Sequence, residues 1–291
     1  MAANSAHGTE DQLAGHSLPY LANCSLLFTE EPVLRRPAAA AAAGFTAIES
    51  WWPWPGPVPS DRDVDAFVAA IGDAGVALVA LNFFAGDLHG PDAGVLSIPA
   101  RSGQFRNNID VAMGIGQRLG VRGFNAPYGN RVDGVPAAAQ DELATENIVL
   151  AAQAARGIGA TVFIEPLSGP KPYPLRTAAD AVAVVRRARA AGTANVAFLC
   201  DLYHLASNGD DIDAAIAAHA GVVAHVQIAD APGRGEPGSG RLDLDRYLAA
   251  LADRGYRGWV SLEYKPTGTT EASLAWLPIQ RRAAPTQEDH T

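Results

Sequence analysis

The chain has 291 residues, a net charge of −9 and 48% hydrophobic residues, which suits one α/β barrel of roughly 250 residues with a tail at each end. An acidic chain lacks the basic face that non-specific nucleic-acid binding needs to displace counterions, and no apolar run approaches the roughly 20 residues that cross a bilayer. Two isolated cysteines, Cys24 and Cys200, exclude a disulfide framework and a thiolate zinc cluster; the polar N-terminus lacks the regions of a signal peptide, so the expected setting is reducing and cytoplasmic.

Residues 1–17 and 280–291 are polar and are expected to be flexible tails, which leaves residues 18–279 as the catalytic barrel domain. Short apolar runs predict eight strands, at 21–27, 46–49, 76–82, 122–125, 161–165, 196–201, 222–227 and 259–263. They are short and β-branched or aromatic, without the alternation of a half-exposed sheet. Between them lie Ala-rich helical segments. Pro37 shifts the start of the first, within 31–43, to just after Arg36. Others run over 61–74 up to Gly75, 104–119 up to Gly120 and 137–156 up to Gly157. A further helix over 177–191 starts on a capping Thr177 with Asp180 in its first turn, and the last runs over 243–252 towards Gly255. Such alternation calls for a parallel sheet with right-handed crossovers. A single (β/α)8 TIM barrel is the expected fold, with an open doubly wound sheet as the alternative.

Most of these strands finish on a polar residue: Glu49, Asn82, Asn125, Glu165, Asp201, Gln227 and Glu263. Catalytic groups of such barrels sit at the carboxyl ends of strands. Glu165, Asp201, Gln227 and Glu263 come from four successive strands, so they can converge on one point. Their oxygens suit a hard divalent cation, Mg2+ or Mn2+. Any one of them could merely cap the next helix, but Glu and Gln are poor caps, which weakens that reading for all four together. Glu49 and Asn82 are expected to face the substrate.

His204 follows Asp201 closely enough to lean over an ion bound there, although a lone histidine is often only a packed structural group. His225, two residues before Gln227, reads as a packed interior histidine below the site. Gly233, Gly235 and Gly238 match a dinucleotide fingerprint by letter, but Pro237 and Gly240 keep that segment from opening a helix. The segment is expected to be a flexible cover whose Arg234 grips a substrate carboxylate, a solvated arginine being the plain alternative. Trp51, Trp52 and Trp54 fit either a wall around a small substrate or a subunit contact, which leaves a homo-oligomer open.

Several segments together carry a resemblance. Leu26–Glu30, Ala80-Leu81-Asn82, Ile164-Glu165-Pro166, Asp201-Leu202-Tyr203-His204, His225-Val226-Gln227 with Pro232-Gly233-Arg234, and Glu263-Tyr264-Lys265-Pro266 resemble the hydroxypyruvate isomerase family of xylose-isomerase-like TIM barrels. The resemblance implies interconversion of hydroxypyruvate and tartronate semialdehyde, or of related 2-oxo-tetronate acids, by enediolate proton transfer. It implies Glu165 and Glu263 as the catalytic pair and Glu165, Asp201, Gln227 and Glu263 as ligands of a divalent metal. His204, Arg234 or Lys265 would anchor the substrate carboxylate. Sugar epimerases of the superfamily usually have histidine at the position of Gln227, which sets the ketose 3-epimerase alternative apart. A Trp51-Trp52 pair departs from the smaller residues usual in the family and leaves substrate size open. A metal-dependent endonuclease of this fold would need a histidine-rich site and a basic groove, and a non-catalytic binding barrel would bury two glutamates without a use for them.

Overall fold

The computed structural model describes residues 15–283. Among these, the strands are β1 (Tyr20–Asn23), β2 (Ala47–Ser50), β3 (Ala77–Asn82), β4 (Gly123–Asn125), β5 (Thr161–Ile164), β6 (Val196–Asp201), β7 (Val223–Ile228) and β8 (Val260–Leu262). The helices are α1 (Arg36–Ala42), α2 (Asp61–Ala74), α3 (Ser102–Leu119), α4 (Ala137–Gly157), α5 (Ala178–Ala190), α6 (Leu202–Ser207), α7 (Ile212–His219), α8 (Leu244–Asp253) and α9 (Thr270–Ser273). The strands pair in chain order, all parallel, and β8 closes on β1, so the sheet is a closed barrel and not an open one. No described helix is long and apolar enough to cross a membrane.

Local chemistry sets the boundaries. Ser60 caps α2 by accepting from the Asp63 amide, and Gly75 ends that helix in the left-handed region at φ 68°, where a Cβ would be strained. Thr177 and Asp180 form a reciprocal capping box on α5. β1 stops four residues earlier than the sequence suggests, because the Asn23 side chain accepts from the Ser25 amide at 2.9 Å and turns the chain. Helices α6 and α7 fill the stretch between β6 and β7; Asp201 and Asp211 cap them. At the chain ends, His16 is buried and accepts from the Leu18 amide at 3.1 Å, while Arg282 donates to the Ala43 carbonyl at 2.9 Å. Residues 1–14 and 284–291 of the two expected tails lie outside the described residues.

Side chains on a strand alternate between faces, so residues two apart share the barrel interior. The lower interior layer holds Ala80, Phe163 and Leu199, with His225 stacked on the Phe163 ring at 5.4 Å and 4°. Gly123 is part of this packing: a Cβ there would lie 2.2 Å from the Phe163 ring. The larger apolar core lies outside the barrel, between the sheet and its helices, and includes Phe67, Phe105, Phe124, Ile148, Val185 and Leu248. A barrel built this way carries whatever sits two residues above the lower layer on rigid strand ends.

Gly123→Ala should therefore destabilise the protein by about 1–3 kcal/mol, the usual cost of overpacking a filled interior. Thermal unfolding of Gly123→Ala and of the double variant with Phe163→Leu checks this: the smaller side chain should recover part of the loss. No loss in the single variant would contradict the packing described.

Candidate active site

One step up each strand from that lower layer stands a polar residue: Asn23, Glu49, Asn82, Asn125, Glu165, Asp201, Gln227 and Glu263, all buried. The level is set by pairing, with Asn23 opposite Glu49, Asn82 opposite Asn125 and Asp201 opposite Gln227. The sequence points to seven of these eight. Asn23 is missed because β1 is drawn too long, which hides the residue inside an apolar run.

The four carboxylates of the ring are answered differently. Glu49 accepts from Asn23 Nδ2 at 2.7 Å and Gln227 Nε2 at 2.9 Å, and its other oxygen lies 2.6 Å from His225 Nε2. Burial alone would push its pKa up, but the His225 charge and these hydrogen bonds outweigh it and hold the carboxyl below its ordinary value. Glu49 is thus tied into the barrel floor with His225. Glu263 receives the Trp51 indole N–H at 2.7 Å on Oε1 and the Arg234 guanidinium at 2.6 Å on Oε2. Burial raises its pKa and Arg234 opposes the rise. Glu165 and Asp201 have less help. Burial first, then the charges of Glu263 and Asp201, lift Glu165 well above the usual carboxylate range, and among the described residues only Asn125 Nδ2 donates to it, at 2.6 Å. Burial and Glu263 do the same to Asp201.

His204 faces this pair. Its Nδ1 accepts from the Ser168 backbone N–H at 2.9 Å, a donor with no alternative role. Burial, followed by Arg234 and Arg176, keeps the ring's pKa well below the ordinary value, so it is neutral and its one proton sits on Nε2. That N–H lies 3.6 Å from Asp201 Oδ2 and 3.9 Å from Glu165 Oε1. The ring is therefore placed as a donor to an oxygen at the site.

Arg234 reaches the ring from the segment after β7. That segment is not the loose cover expected from its glycines. Asp230 accepts from the Ala231, Gly238 and Leu242 amides, and the Arg234 amide donates back to the Asp230 carbonyl at 3.0 Å. A Cβ at Gly240 would lie 2.4 Å from Asp230 Oδ1, so glycine is needed for the close approach. Arg234 itself has φ 62°, and its guanidinium lies over the Tyr203 ring at 5.3 Å. Its charge is engaged with Glu263, where the sequence suggests a free grip on substrate.

A chamber of about 120 Å3 opens over the ring, lined among others by Trp51, Asn82, Glu165, Lys171, His204, Arg234 and Glu263. Lys265 is not among its walls: the chain leaves the barrel after Glu263, and the Lys265 side chain is exposed. Lys171, unnoticed in the sequence because it follows Gly169 and Pro170 in an irregular segment, lines the chamber instead. Trp51 and Leu88 also line a neighbouring cavity of about 450 Å3, beside which Trp52 and Trp54 pack edge to face at 4.9 Å. Both cysteines are buried and unpaired, and burial pushes the Cys24 thiol up to about 12, which suits packing better than nucleophilic chemistry.

The donor set fits a divalent cation. Ligand atoms of Glu165, Asp201, His204 and Glu263 lie within 4.8 Å of one another, as they would around an ion bound by oxygens at about 2.0–2.6 Å. Gln227, level with Asp201, keeps its Oε1 buried with no hydrogen-bond partner while its Nε2 is held by Glu49. An orphaned amide oxygen is costly unless something binds it. Since His204 carries its proton on the nitrogen facing the cluster, the better fourth ligand is Gln227 Oε1.

Comparison with known proteins agrees with this architecture. The model of the xylose isomerase-like TIM barrel family matches residues 37–280. A Streptomyces coelicolor protein provisionally named hydroxypyruvate isomerase is 56% identical over 268 residues, 90% of this chain and 96% of its own. An Escherichia coli protein named hydroxypyruvate isomerase is 29% identical over 91% of this chain and 100% of its own length. A solved structure from Brucella melitensis, described as an AP endonuclease of family 2, superposes with a TM-score of 0.80 at 34% identity, covering 89% of this chain and 98% of that one.

The raised carboxyl groups have a consequence for stability. A group whose folded-state pKa exceeds its unfolded value stabilises the fold below the unfolded value, and that contribution is lost as pH rises through the folded one. Glu165, Asp201 and Glu263 are all raised. Metal-free protein should therefore melt lower as pH climbs above the ordinary carboxylate range of about 4. At a fixed concentration Mn2+ should raise Tm most at the alkaline end, where its carboxylate ligands are ionised; wherever it stands at a hundred times its Kd, the gain in stability is about 2.7 kcal/mol. Melting curves in EDTA and in Mn2+ check both; a flat pH profile with no response to Mn2+ would contradict the electrostatics described.

Proposed function

The chain belongs to the xylose isomerase-like TIM barrel family and is an isomerase, and we propose that it interconverts hydroxypyruvate and tartronate semialdehyde through a cis-enediolate. The observation that carries this reading is the pair Glu165 and Glu263, two buried carboxylates in unlike environments lining one small chamber. At about 120 Å3 the chamber is well below the ~300–1,000 Å3 of drug-sized sites, which favours a molecule of three or four carbons. A four-carbon 2-oxo-tetronate acid presents the same hydroxy-carbonyl end to the same groups and is the second reading.

The isomerisation moves one proton from the hydroxymethyl carbon of hydroxypyruvate to the neighbouring carbonyl carbon, while the hydroxyl proton passes from the oxygen of the first carbon to the oxygen of the second. Two carboxyl groups with separated pKa values can serve as base and acid. Glu263, held towards its anionic form by Arg234 and Trp51, takes the proton from the hydroxymethyl carbon. Glu165, whose pKa is raised well above the ordinary carboxylate range by burial and its neighbours' charges, returns a proton to the adjacent carbon. In the reverse direction the roles exchange. His204 Nε2–H donates to the carbonyl oxygen as it gains charge, its ring fixed by Ser168. Asn125 holds Glu165 in place, and Trp51 limits the access of water to Glu263. Glu165, Asp201, Gln227 and Glu263 would hold a divalent ion, Mg2+ or Mn2+, which when bound supplies several kcal/mol of stabilisation to a developing oxyanion.

The endonuclease description of the Brucella structure does not transfer to this site, which offers three carboxylates, an amide and a single histidine in a chain of net charge −9. A ketose 3-epimerase would share the proton transfer, but a neutral ketose has no carboxylate to place against the cations in this chamber wall.

The reading is tested by proton NMR of hydroxypyruvate in deuterated water. Turnover should produce tartronate semialdehyde with deuterium entering at the carbon that changes partners, and EDTA should suppress it. Glu263→Gln should lower kcat by about 10²–10⁴ while the protein stays folded. Near-wild-type turnover in a folded Glu263→Gln variant would remove Glu263 from the chemistry.

A further inference from the structure

We propose that Lys171 recognises the substrate's carboxylate and so makes the site selective for hydroxy-carbonyl acids over neutral ketoses; the inference rests on the isomerase reading above. Among the residues lining the chamber, the cationic side chains are Lys171 and Arg234. Arg234 is paired with Glu263 at 2.6 Å and covered by Tyr203. His204 has its Nδ1 occupied by the Ser168 amide. Lys171 differs from both: no carboxylate lies within ion-pair distance of it among the described residues. The nearby Asp92 carboxylate is instead paired with Arg101 at 2.7 Å and accepts from the Asp87 amide.

The ammonium is nevertheless held. It donates to the Leu88 carbonyl at 3.2 Å and to the Asp92 carbonyl. An ammonium has three protons, so two bonds to backbone carbonyls fix its position and leave one donor and the full charge for a ligand. Lys171 lies on the segment after β5 and Glu263 follows β8, so the chamber walls they share put a cation and the proton-transfer groups around one small volume. Hydroxypyruvate carries its carboxylate next to the carbonyl that must reach His204. A three-carbon acid can therefore touch the ammonium with one end and the glutamates with the other. A neutral ketose would leave that charge in the chamber wall without a counterpart, which penalises its binding.

Lys171 could instead only tether the segment from Leu88 to Asp92, and the two roles separate in one experiment. Steady-state kinetics of the full-length protein with Mn2+ would compare wild type, Lys171→Gln and Lys171→Met. The glutamine keeps N–H donors for the two carbonyls, while methionine keeps only the stem. Hydroxypyruvate is the charged probe. Dihydroxyacetone, the same three-carbon skeleton with a hydroxymethyl group in place of the carboxylate, is the neutral one, read as a competitive inhibitor. Loss of a hydrogen bond to a charged group should raise KM for hydroxypyruvate roughly 10- to 100-fold, with the effect falling on KM and not on kcat. The inhibition constant of dihydroxyacetone should stay the same or improve. An unchanged KM, or equal weakening of the charged and neutral compounds, overturns the assignment. Wild-type protein that turns over no hydroxypyruvate overturns the hydroxypyruvate reading on which the inference rests, a result visible before any variant is made.

Discussion

Glu49, Glu165, Asp201 and Glu263 are carried at one level inside the barrel, each between 1% and 4% exposed, and a carboxylate taken out of water costs several kcal/mol unless its charge is answered. Much of the surrounding structure follows from that constraint. Glu49 is answered within the barrel by His225, Asn23 and Gln227, and the His225 ring is steadied by stacking on Phe163. Phe163 in turn needs a glycine at 123. Glu263 is answered from above by Arg234 and Trp51. What remains, Glu165 and Asp201, is poorly compensated by protein groups alone, and this is where the orphaned oxygen of Gln227 also lies, level with Asp201.

The segment after β7 shows how such an arrangement is held. Arg234 has a left-handed backbone, a conformation that costs a non-glycine residue free energy. Asp230 offsets that cost by gathering three amides on its carboxylate, and Gly240 lets the chain pass close by. The guanidinium is thereby delivered to one oxygen of Glu263, leaving the other oxygen for Trp51 and Asn23. The result is two glutamates with different proton affinities in one chamber, which is the arrangement that proton transfer between neighbouring carbons requires.

The barrel and most of its polar ring are legible in the sequence because both depend on periodicity. Apolar runs ending on Glu165, Asp201 and Glu263 mark strand ends, and strand ends in a closed barrel converge. Legibility fails where position depends on turns or on other side chains. Asn23 hides in an apolar run that the chain leaves early. Lys265 looks like part of the Glu263 motif, yet the chain's exit from the barrel turns its side chain to solvent. Lys171 sits in an irregular segment with no periodic signal, and only folding shows that it lines the chamber. Arg234 is found by type, but its engagement with Glu263 depends on the turn that Asp230 holds together, and spacing alone does not show that turn.

The central claim is that three carboxylates and one amide oxygen form a single binding point for a divalent cation above the barrel floor. It is tested most directly by anomalous diffraction from crystals soaked in Mn2+. The account predicts one strong peak bonded by Glu165, Asp201, Glu263 and Gln227 Oε1, with His204 Nε2 outside the coordination sphere. A peak elsewhere, no peak at saturating Mn2+, or an ion bonded by His204 in place of Gln227 would contradict it.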